Sequence, residues 1–558
     1  MGFLWGMDGA KSIKVAGIEV PPEERTPLVD RLLRVIEEQG AEIRGLRDEI
    51  ARLKGLPPRP TIRPSTLNAP HPDPSHKKRR HGKRPGSAKR RKTCELIIHE
   101  TIPIPLEGLP EGTQQNGYED FVVQELKIEA HNVCYRRLRY LLPDGTSRTA
   151  PLPVHVQGHF GPGLRSYVLY QHHQSHVTQP LIHEELLDLG IDISTGQIDR
   201  LLTEGHEQFH EEKDALLPAA REVSRYFQAD DTGARHLGKN AYTTVIANGL
   251  FASFTTTPSK SRVNFLKLLR APHEEYVLGD DALMYMEYQG LSQALLGRLA
   301  AAVRKGHAII SGDVAWERRL TAWEIRAEQP RRIVTEGALF GTLMHYDMYL
   351  DQPLVSDDAG QFKILGLLHG LCWLHAERSV RKLVPLSPRE QEAIDRIRQD
   401  IWKYYQRLRV YRESPTPRRK AGLERDFDRL FTRRTGFVDL NAALKRIHEK
   451  RADLLLVLDR PEIPLHNNLS ENDIREWAKK RKISAGTRSE LGRRCRDTFV
   501  SLKKTCRKLG VSFWRYLQDR IRGSQKILAL PDLMRQAAQD NGRHRHRRQP
   551  SATAPRTQ

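Results

Sequence analysis

The chain runs to 558 residues, more than one hydrophobic core usually organises, so several folded domains joined by linkers are expected. Lys and Arg outnumber Asp and Glu by 91 to 69, and the net charge of +22 points to a polyanionic partner, nucleic acid before membrane. No apolar run is long enough to span a bilayer, the opening MGFLWGMDGAKS lacks a secretory pattern, and the 5 cysteines include no Cys-x-x-Cys pair, so the sequence reads as cytoplasmic, without disulfide framework or zinc ribbon.

Residues 1–27 read as a flexible N-terminus. In 28–56, Val29, Leu32, Ile36, Gln39, Ile43, Leu46, Ile50 and Leu53 recur at alternating intervals of three and four, the repeat of a coiled-coil seam, which predicts a homo-oligomer. Gln39 on the seam would fix register, while Gly40 and Gly45 weaken the helix; a lone amphipathic helix lying on the body is the alternative. The prolines from Pro57 onward disfavour helix and sheet and lead into KKRRHGKRPGSAKRRK at 77–92, so 57–93 reads as a linker and basic arm. Ten of those sixteen residues are Lys or Arg and none is acidic. Lys77, Lys78, Arg79, Arg80, Lys89, Arg90, Arg91 and Lys92 are therefore expected to contact DNA phosphates irrespective of sequence.

Residues 94–160 hold the β-rich runs FVVQELKI and VCYRRLRYLL, the second followed by the turn PDGT, which predicts a small antiparallel module. From 161 to 220 the pattern is helical. YQHHQSH at 170–176 lacks acidic or cysteine partners for a metal and reads as polar surface or a DNA contact. LIHEELLDLG reads as an amphipathic helix stopped by Gly190, and STGQIDRLL opens with Ser194 and Gln197 at capping-box spacing. The two together are like a helix-turn-helix whose second helix starts near Thr195.

At 221 the texture changes. VSRYFQAD predicts a strand ending in Asp230 and Asp231, and AYTTVIANG with FASFTTT predicts two more, separated by a turn at Asn248 and Gly249. Much of 262–348 is helical in pattern, after which QPLVSDD returns as a strand ending in Asp357 and Asp358. GLCWLHAERSVRKL then reads as strand into helix, 389–457 as long charged helices, 466–522 as a basic helical block and 526–558 as a basic tail.

Ionised aspartates at the ends of buried strands are costly unless a cation or proton compensates them. Ser470 and Asp473, at capping-box spacing, would put a further acid, Glu471, in the first turn of a helix with Arg475 at i+4. If they converge, Asp230, Asp357 and Glu471 make a hard-oxygen site suited to two Mg²⁺ or Mn²⁺ ions, which stabilise both oxygens of an in-line phosphoryl transfer. Arg475, Lys479, Lys480, Arg481 and Lys482, with Arg488, Arg493, Arg494 and Arg496 beyond, would hold a DNA phosphodiester against those acids. Taken singly, each acid also fits a turn cap, a lysine pair or a helix-dipole partner.

QADDTGARH, LVSDDAGQF with CWLHAERSVRKL close behind it, and HNNLSENDIREWAKKRKISAGT resemble, in order, the three acidic blocks of the insertion-sequence-sixty-six family of bacterial DDE transposases. The heptads, linker and helix-turn-helix-like stretch also resemble that family's front half, so the likeness runs from about Val29 to about Ile521. The resemblance implies a multidomain α/β protein whose 221–525 segment is a ribonuclease-H-like mixed-sheet catalytic domain. Asp230 would lie on its first strand, Asp357 after its fourth and Glu471 on a later helix, with Asp231, Asp358, His375 and Arg378 close by. The implied activity is binding of terminal inverted repeats in double-stranded DNA, metal-dependent strand cleavage, and transfer of the freed 3′-hydroxyl into target DNA. Water and then that hydroxyl would be the nucleophile. Nucleoid association when DNA-bound and companion proteins from the same element are further implications.

The chain departs from the family pattern in two places. Members commonly carry a cysteine zinc ribbon in the front half, where this chain has only Cys94 and Cys134, so no zinc is expected. Cys372 and His375 are likewise only two residues, short of a zinc site. The interval from Asp230 to Asp357 is long, which suggests a helical insertion at about 271–335 and makes Asp280 in YVLGDDALMY a rival second aspartate; the CWLHAER block favours Asp357. The doubled acids leave Asp230 or Asp231, and Asp357 or Asp358, open. An inactive, transposase-derived DNA-binding or regulatory protein is the alternative reading, and a structure-selective nuclease on the same fold a third. If the basic arm supplies sequence-independent affinity, deleting residues 77–92 flattens the dependence of log K on log salt in a DNA-binding titration; an unchanged slope removes that role.

Overall fold

The computed structural model describes residues 96–546 apart from Leu106, Leu109, Glu111, Gln115, Asn116, Val154, His155, Gln157, 305–308 and Leu350. Before residue 96 it describes two short strands together with Thr26, Pro27, Val29, Arg31, Leu32, Val35 and Gln39. The chain divides into two units, Met1–Gln124 and Glu125–Gln558. In the first unit β1 (Ile13–Val15) pairs antiparallel with β2 (Ile18–Val20), Ile13 opposite Val20. Pro27, Val29, Arg31, Leu32, Val35 and Gln39 are helical; the rest of the expected coiled coil, and the whole linker and basic arm at 57–93, lie outside the described residues.

FVVQELKI forms no strand. Phe121 is 91% exposed and Leu126 76%, and without a ladder to satisfy its peptide groups a β-prone run has nothing to pair with. Within the second unit the PDGT turn does close a hairpin, β3 (Arg139–Leu141) with β4 (Ser147–Thr149). Gly145 takes φ +78 there, and the Asp144 carboxylate accepts the Thr146 N–H at 2.9 Å.

Five helices follow: α1 (Pro162–His173), α2 (Gln179–Asp188), α3 (Thr195–Thr203), α4 (Glu207–Asp214) and α5 (Leu216–Val223). The expected α2 and α3 are present. Ile182 and Leu186 on one, and Ile198 and Leu202 on the other, are buried at i, i+4 spacing, and the Ser194 hydroxyl caps α3 by accepting the Gln197 N–H at 3.2 Å.

The central sheet begins with the antiparallel meander β5 (Phe227–His236), β6 (Lys239–Ala247) and β7 (Ala252–Thr257). The segment between β7 and β10 then carries α6 (Arg262–Leu269), β8 (Glu275–Val277), α7 (Asp280–Tyr288), α8 (Gln293–Arg304), β9 (Ile309–Ser311), α9 (Asp313–Ala322) and α10 (Glu328–His345). The antiparallel pairing of β8 with β9, across two intervening helices, was not anticipated. The chain returns as β10 (Leu354–Ser356) and β11 (His369–Leu371), giving the strand order β11-β10-β5-β6-β7 with β10 parallel to both β5 and β11. Contrary to expectation, β5 does not end at the aspartates. β6 pairs with it through to His236, while β10 reaches only Phe227 and Gln228, so Asp230 and Asp231 lie mid-strand just past the end of the parallel pairing.

Adjacent residues of β10 face opposite layers: Leu354 joins the core made with α1–α5 and the segment between β7 and β10, and Val355 the core of the helices that follow. These are α11 (Trp373–Arg381), α12 (Pro388–Glu413), α13 (Pro417–Phe431), α14 (Val438–Glu449) and α15 (Arg451–Leu455), gathered around buried Trp373, Phe427 and Leu444. The basic block folds as α16 (Asn468–Ser484), α17 (Glu490–Lys508) and α18 (Phe513–Arg522). In place of a plain tail, α19 (Leu530–His546) buries Leu530 and Met534, and Arg535 pairs with Glu222 on α5 at 2.7 Å.

β7 is the sheet's edge, and α17 covers it. Thr505, Ser501 and Asp497, one helical turn apart, accept the N–H groups of Ala252, Phe254 and Thr256 at 3.2, 2.9 and 2.8 Å, and Asp497 also takes the Thr256 hydroxyl at 2.7 Å. Asp497→Ala strands a buried N–H and a buried hydroxyl and should destabilise the fold by about 1–3 kcal/mol per unsatisfied group, read as an earlier chemical-denaturation midpoint.

Candidate active site

Asp230 projects from β5, Asp357 follows β10 by one residue, and Glu471 stands in the first turn of α16. Backbone and amide bonds hold the three elements together. The Gln228 side chain, 2% exposed, donates to the His466 carbonyl at 3.0 Å and accepts the Ser470 N–H at 3.3 Å, which fastens the start of α16 to β5 two residues before Asp230. The Cys372 N–H bonds the Ser356 carbonyl at 3.0 Å and the Trp373 N–H bonds that of Leu465 at 2.9 Å, tying β10, α11 and the approach to α16 into one frame. The expected capping box is absent. Asn467 is the N-cap, Ser470 lies inside the helix donating to the Asn467 carbonyl at 2.9 Å, and Asp473 is buried against Lys504 and Lys508.

The doubled acids separate by their partners. Asp231 is ion-paired to Lys260 and accepts a hydrogen bond from Gln361; Asp358 is paired to Lys363 at 2.5 Å and to Lys450. Burial alone would raise Asp358, yet the two lysines hold it below its usual range. Among the described residues no cation is paired with Asp230 or Asp357; their carboxylates accept backbone N–H groups, of Asp231 at 2.8 Å and Ala359 at 3.2 Å. Burial first, then repulsion from Asp357, Glu471 and Asp231, pushes Asp230 up to about 7 against the lowering effect of the Asp231 N–H. Glu471 lies 3.7 Å from Arg475 and 3.8 Å from His375 Nδ1, and its buried Oε1 has no hydrogen-bond partner. His375 Nε2 faces Arg378 at 3.0 Å; burial and that guanidinium keep the imidazole below its ordinary value. Like charges brought together with an orphaned carboxylate oxygen form a donor set that fits a hard divalent cation.

Asp280 is exposed at the start of α7, and the charges acting on Asp230 are Asp357, Glu471 and Asp231. The basic residues divide as well. Lys479, Lys482, Arg488 and Arg494 are exposed, but Lys480 is 6% exposed and donates to the His172 carbonyl at 2.8 Å, its pKa pushed down to about 7 by burial, Arg496 and Lys503. Arg481 is bonded to the Gly233 carbonyl, Arg493 to Asp497 and the Thr256 carbonyl, and Arg496 to the Ala485 carbonyl at 3.0 Å. Lys480 and Arg481 are thus turned inward, away from the phosphate-contacting role expected of them. Gln228 and the lysines that neutralise Asp231 and Asp358 escaped the sequence reading; only Lys363, five residues beyond Asp358, stood close enough to signal its role.

Since Asp230 rises from 3.8 to about 7 on folding, the native state keeps a proton that the unfolded chain has lost in that window, so this group removes stability as pH climbs through it. Asp230→Asn is expected to raise the melting temperature of the metal-free protein above about pH 7 and to leave it unchanged near pH 4, compared by thermal melts at both values.

No helix among the described residues is long and apolar enough to cross a membrane. A model described as Transposase IS66 family matches residues 326–494, from α10 through Asp357, Cys372–Arg378 and Glu471 to the start of α17. The chain is also similar to the uncharacterized protein y4jO of Sinorhizobium fredii (strain NBRC 101917 / NGR234), 40% identical over 308 residues, which is 55% of this chain and 94% of that one. Together these matches show that the chain belongs to the IS66 family of transposases.

Proposed function

We propose that this transposase binds the terminal inverted repeats of its element and cuts and joins DNA through Asp230, Asp357 and Glu471. The observation that carries the reading is their meeting at the end of the parallel strands, where among the described residues no cation pairs with Asp230 or Asp357 while Asp231 and Asp358 are each neutralised by lysine. A strand order of β11-β10-β5-β6-β7, with β5, β6 and β7 an antiparallel meander and β10 and β11 running parallel to β5, supports a ribonuclease-H-like catalytic domain.

Asp230, Asp357 and Glu471 would hold Mg²⁺ or Mn²⁺, whose contribution when bound is charge stabilisation on the attacking and leaving oxygens of an in-line phosphoryl transfer. Gln228 keeps Glu471 at a fixed height beside β5. Lys260, Lys363 and Lys450 lower the negative potential around the acids, which would otherwise repel a phosphodiester. Exposed Lys479, Lys482, Arg488 and Arg494 are placed to contact the DNA backbone. The coiled-coil seam would pair subunits, and companion proteins of the element would complete the assembly.

A DNA fragment bearing the element's end, incubated with Mg²⁺ or Mn²⁺, tests this. Asp357→Ala should lower strand cleavage by at least about a hundredfold and Asp280→Ala leave it near the wild-type rate. Loss only in Asp280→Ala would move the second acid into the inserted segment. Tight end binding without cleavage by the intact protein would instead favour a transposase-derived regulator.

A further inference from the structure

Cys372, His375 and Glu471 offer a thiol, an imidazole and a carboxylate whose ligand atoms all lie within 4.8 Å of one another. Cys372, 1% exposed, is the N-cap of α11, and the backbone N–H groups of Asn467, His375 and Leu374 approach its sulfur. A Cys-x-x-His at the head of one helix is thereby completed by an acid from another, far along the chain. The place is short of polar partners. Among the described residues His375 Nδ1 and Glu471 Oε1, 3.8 Å apart, are buried and unbonded, and so are both side-chain polar atoms of Asn467, a residue 0% exposed.

We infer that Cys372, His375 and Glu471 form a site for a borderline-soft divalent cation of the Zn²⁺ class, with a fourth position open to water. A sulfur, nitrogen and oxygen set suits zinc, whereas Mg²⁺ takes oxygen ligands in octahedral geometry and disfavours a thiolate. The sequence offered only Cys372 and His375 at this place; the fold adds the third ligand. Zinc bonds of about 2.0–2.3 Å set ligand atoms about 3.5 Å apart, so closing on the ion draws these three together by about an ångström or so. The ion displaces the thiol proton to solvent. Because His375 Nε2 faces Arg378, binding through Nδ1 also leaves the ring proton on Nε2 and turns the guanidinium away. The half-buried His375 and Glu471 side chains, 26% and 16% exposed, leave an entry path. Occupancy takes Glu471 from Asp230 and Asp357, so zinc would oppose Mg²⁺-dependent strand cleavage; that consequence, unlike the site itself, rests on the proposed transposase activity.

Titrating the metal-free full chain with Co²⁺ tests the site directly. The expected result is a thiolate-to-cobalt charge-transfer band with tetrahedral visible bands, displaced by Zn²⁺ and unchanged in Cys134→Ser, whose thiol is exposed. Cys372→Ser should abolish the band, and His375→Ala should weaken binding by more than about tenfold, with circular dichroism confirming that both variants fold. No thiolate band in the intact chain, or a band that survives Cys372→Ser, overturns the inference. A band in a protein that never cleaves DNA supports the site and counts against strand cleavage.

Discussion

Three carboxylates held close together repel one another, and the centre of this protein is organised to withstand that. The restraint comes from neutral parts: the parallel register that sets Leu354 opposite Phe227 and Val355 opposite Gln228, and the buried Gln228 amide bridging β5 to the start of α16. Backbone bonds from Cys372 and Trp373 complete the frame. None of these groups carries charge, so the frame holds the acids without cancelling them. The cationic partners stand one residue away, on Asp231 and Asp358, where they lower the local field and, among the described residues, leave Asp230 and Asp357 without a cation.

The frame in turn needs a sheet that does not pair outward at its edge. Side chains from one face of α17 bond the free N–H groups of β7 and make a helix the sheet's last neighbour. This use of the basic block changes the meaning of its charge. Lys503 bonds Glu476 at 2.8 Å, and Lys508 bonds Asp473 at 2.6 Å and the carbonyls of Asn248 and Phe251. Those cations seat α16 and α17 against the sheet. Only a subset faces outward, so total charge overstates the surface open to a polyanion.

The same neighbourhood presents two coordination chemistries that share one residue. Asp230 and Asp357 contribute only oxygen, while Cys372 and His375 contribute sulfur and nitrogen, and Glu471 stands between the two sets. On the two proposals, which set an ion joined would depend on its softness, because hard ions seek carboxylates and borderline ions a thiol.

Much of this was legible in the sequence because it is local. Turn residues, caps and apolar spacing located the PDGT hairpin, α2, α3, the meander β5–β7 and the long helices after α11, each a product of interactions within a few residues. The three acidic blocks and their order were legible too, with the choice within each doubled aspartate left open. The tertiary structure decided what depends on partners distant in the chain. FVVQELKI has strand propensity but no ladder to join, β5 continues past its aspartates because β6 follows it, and the helix bearing Glu471 begins at Asn468, ahead of Ser470 and without a side-chain cap bond. Lys260 and Lys450 choose between adjacent aspartates from positions far along the chain, and Glu471 turns a two-residue motif into a three-ligand cluster, since burial and charge compensation are properties of the packed molecule.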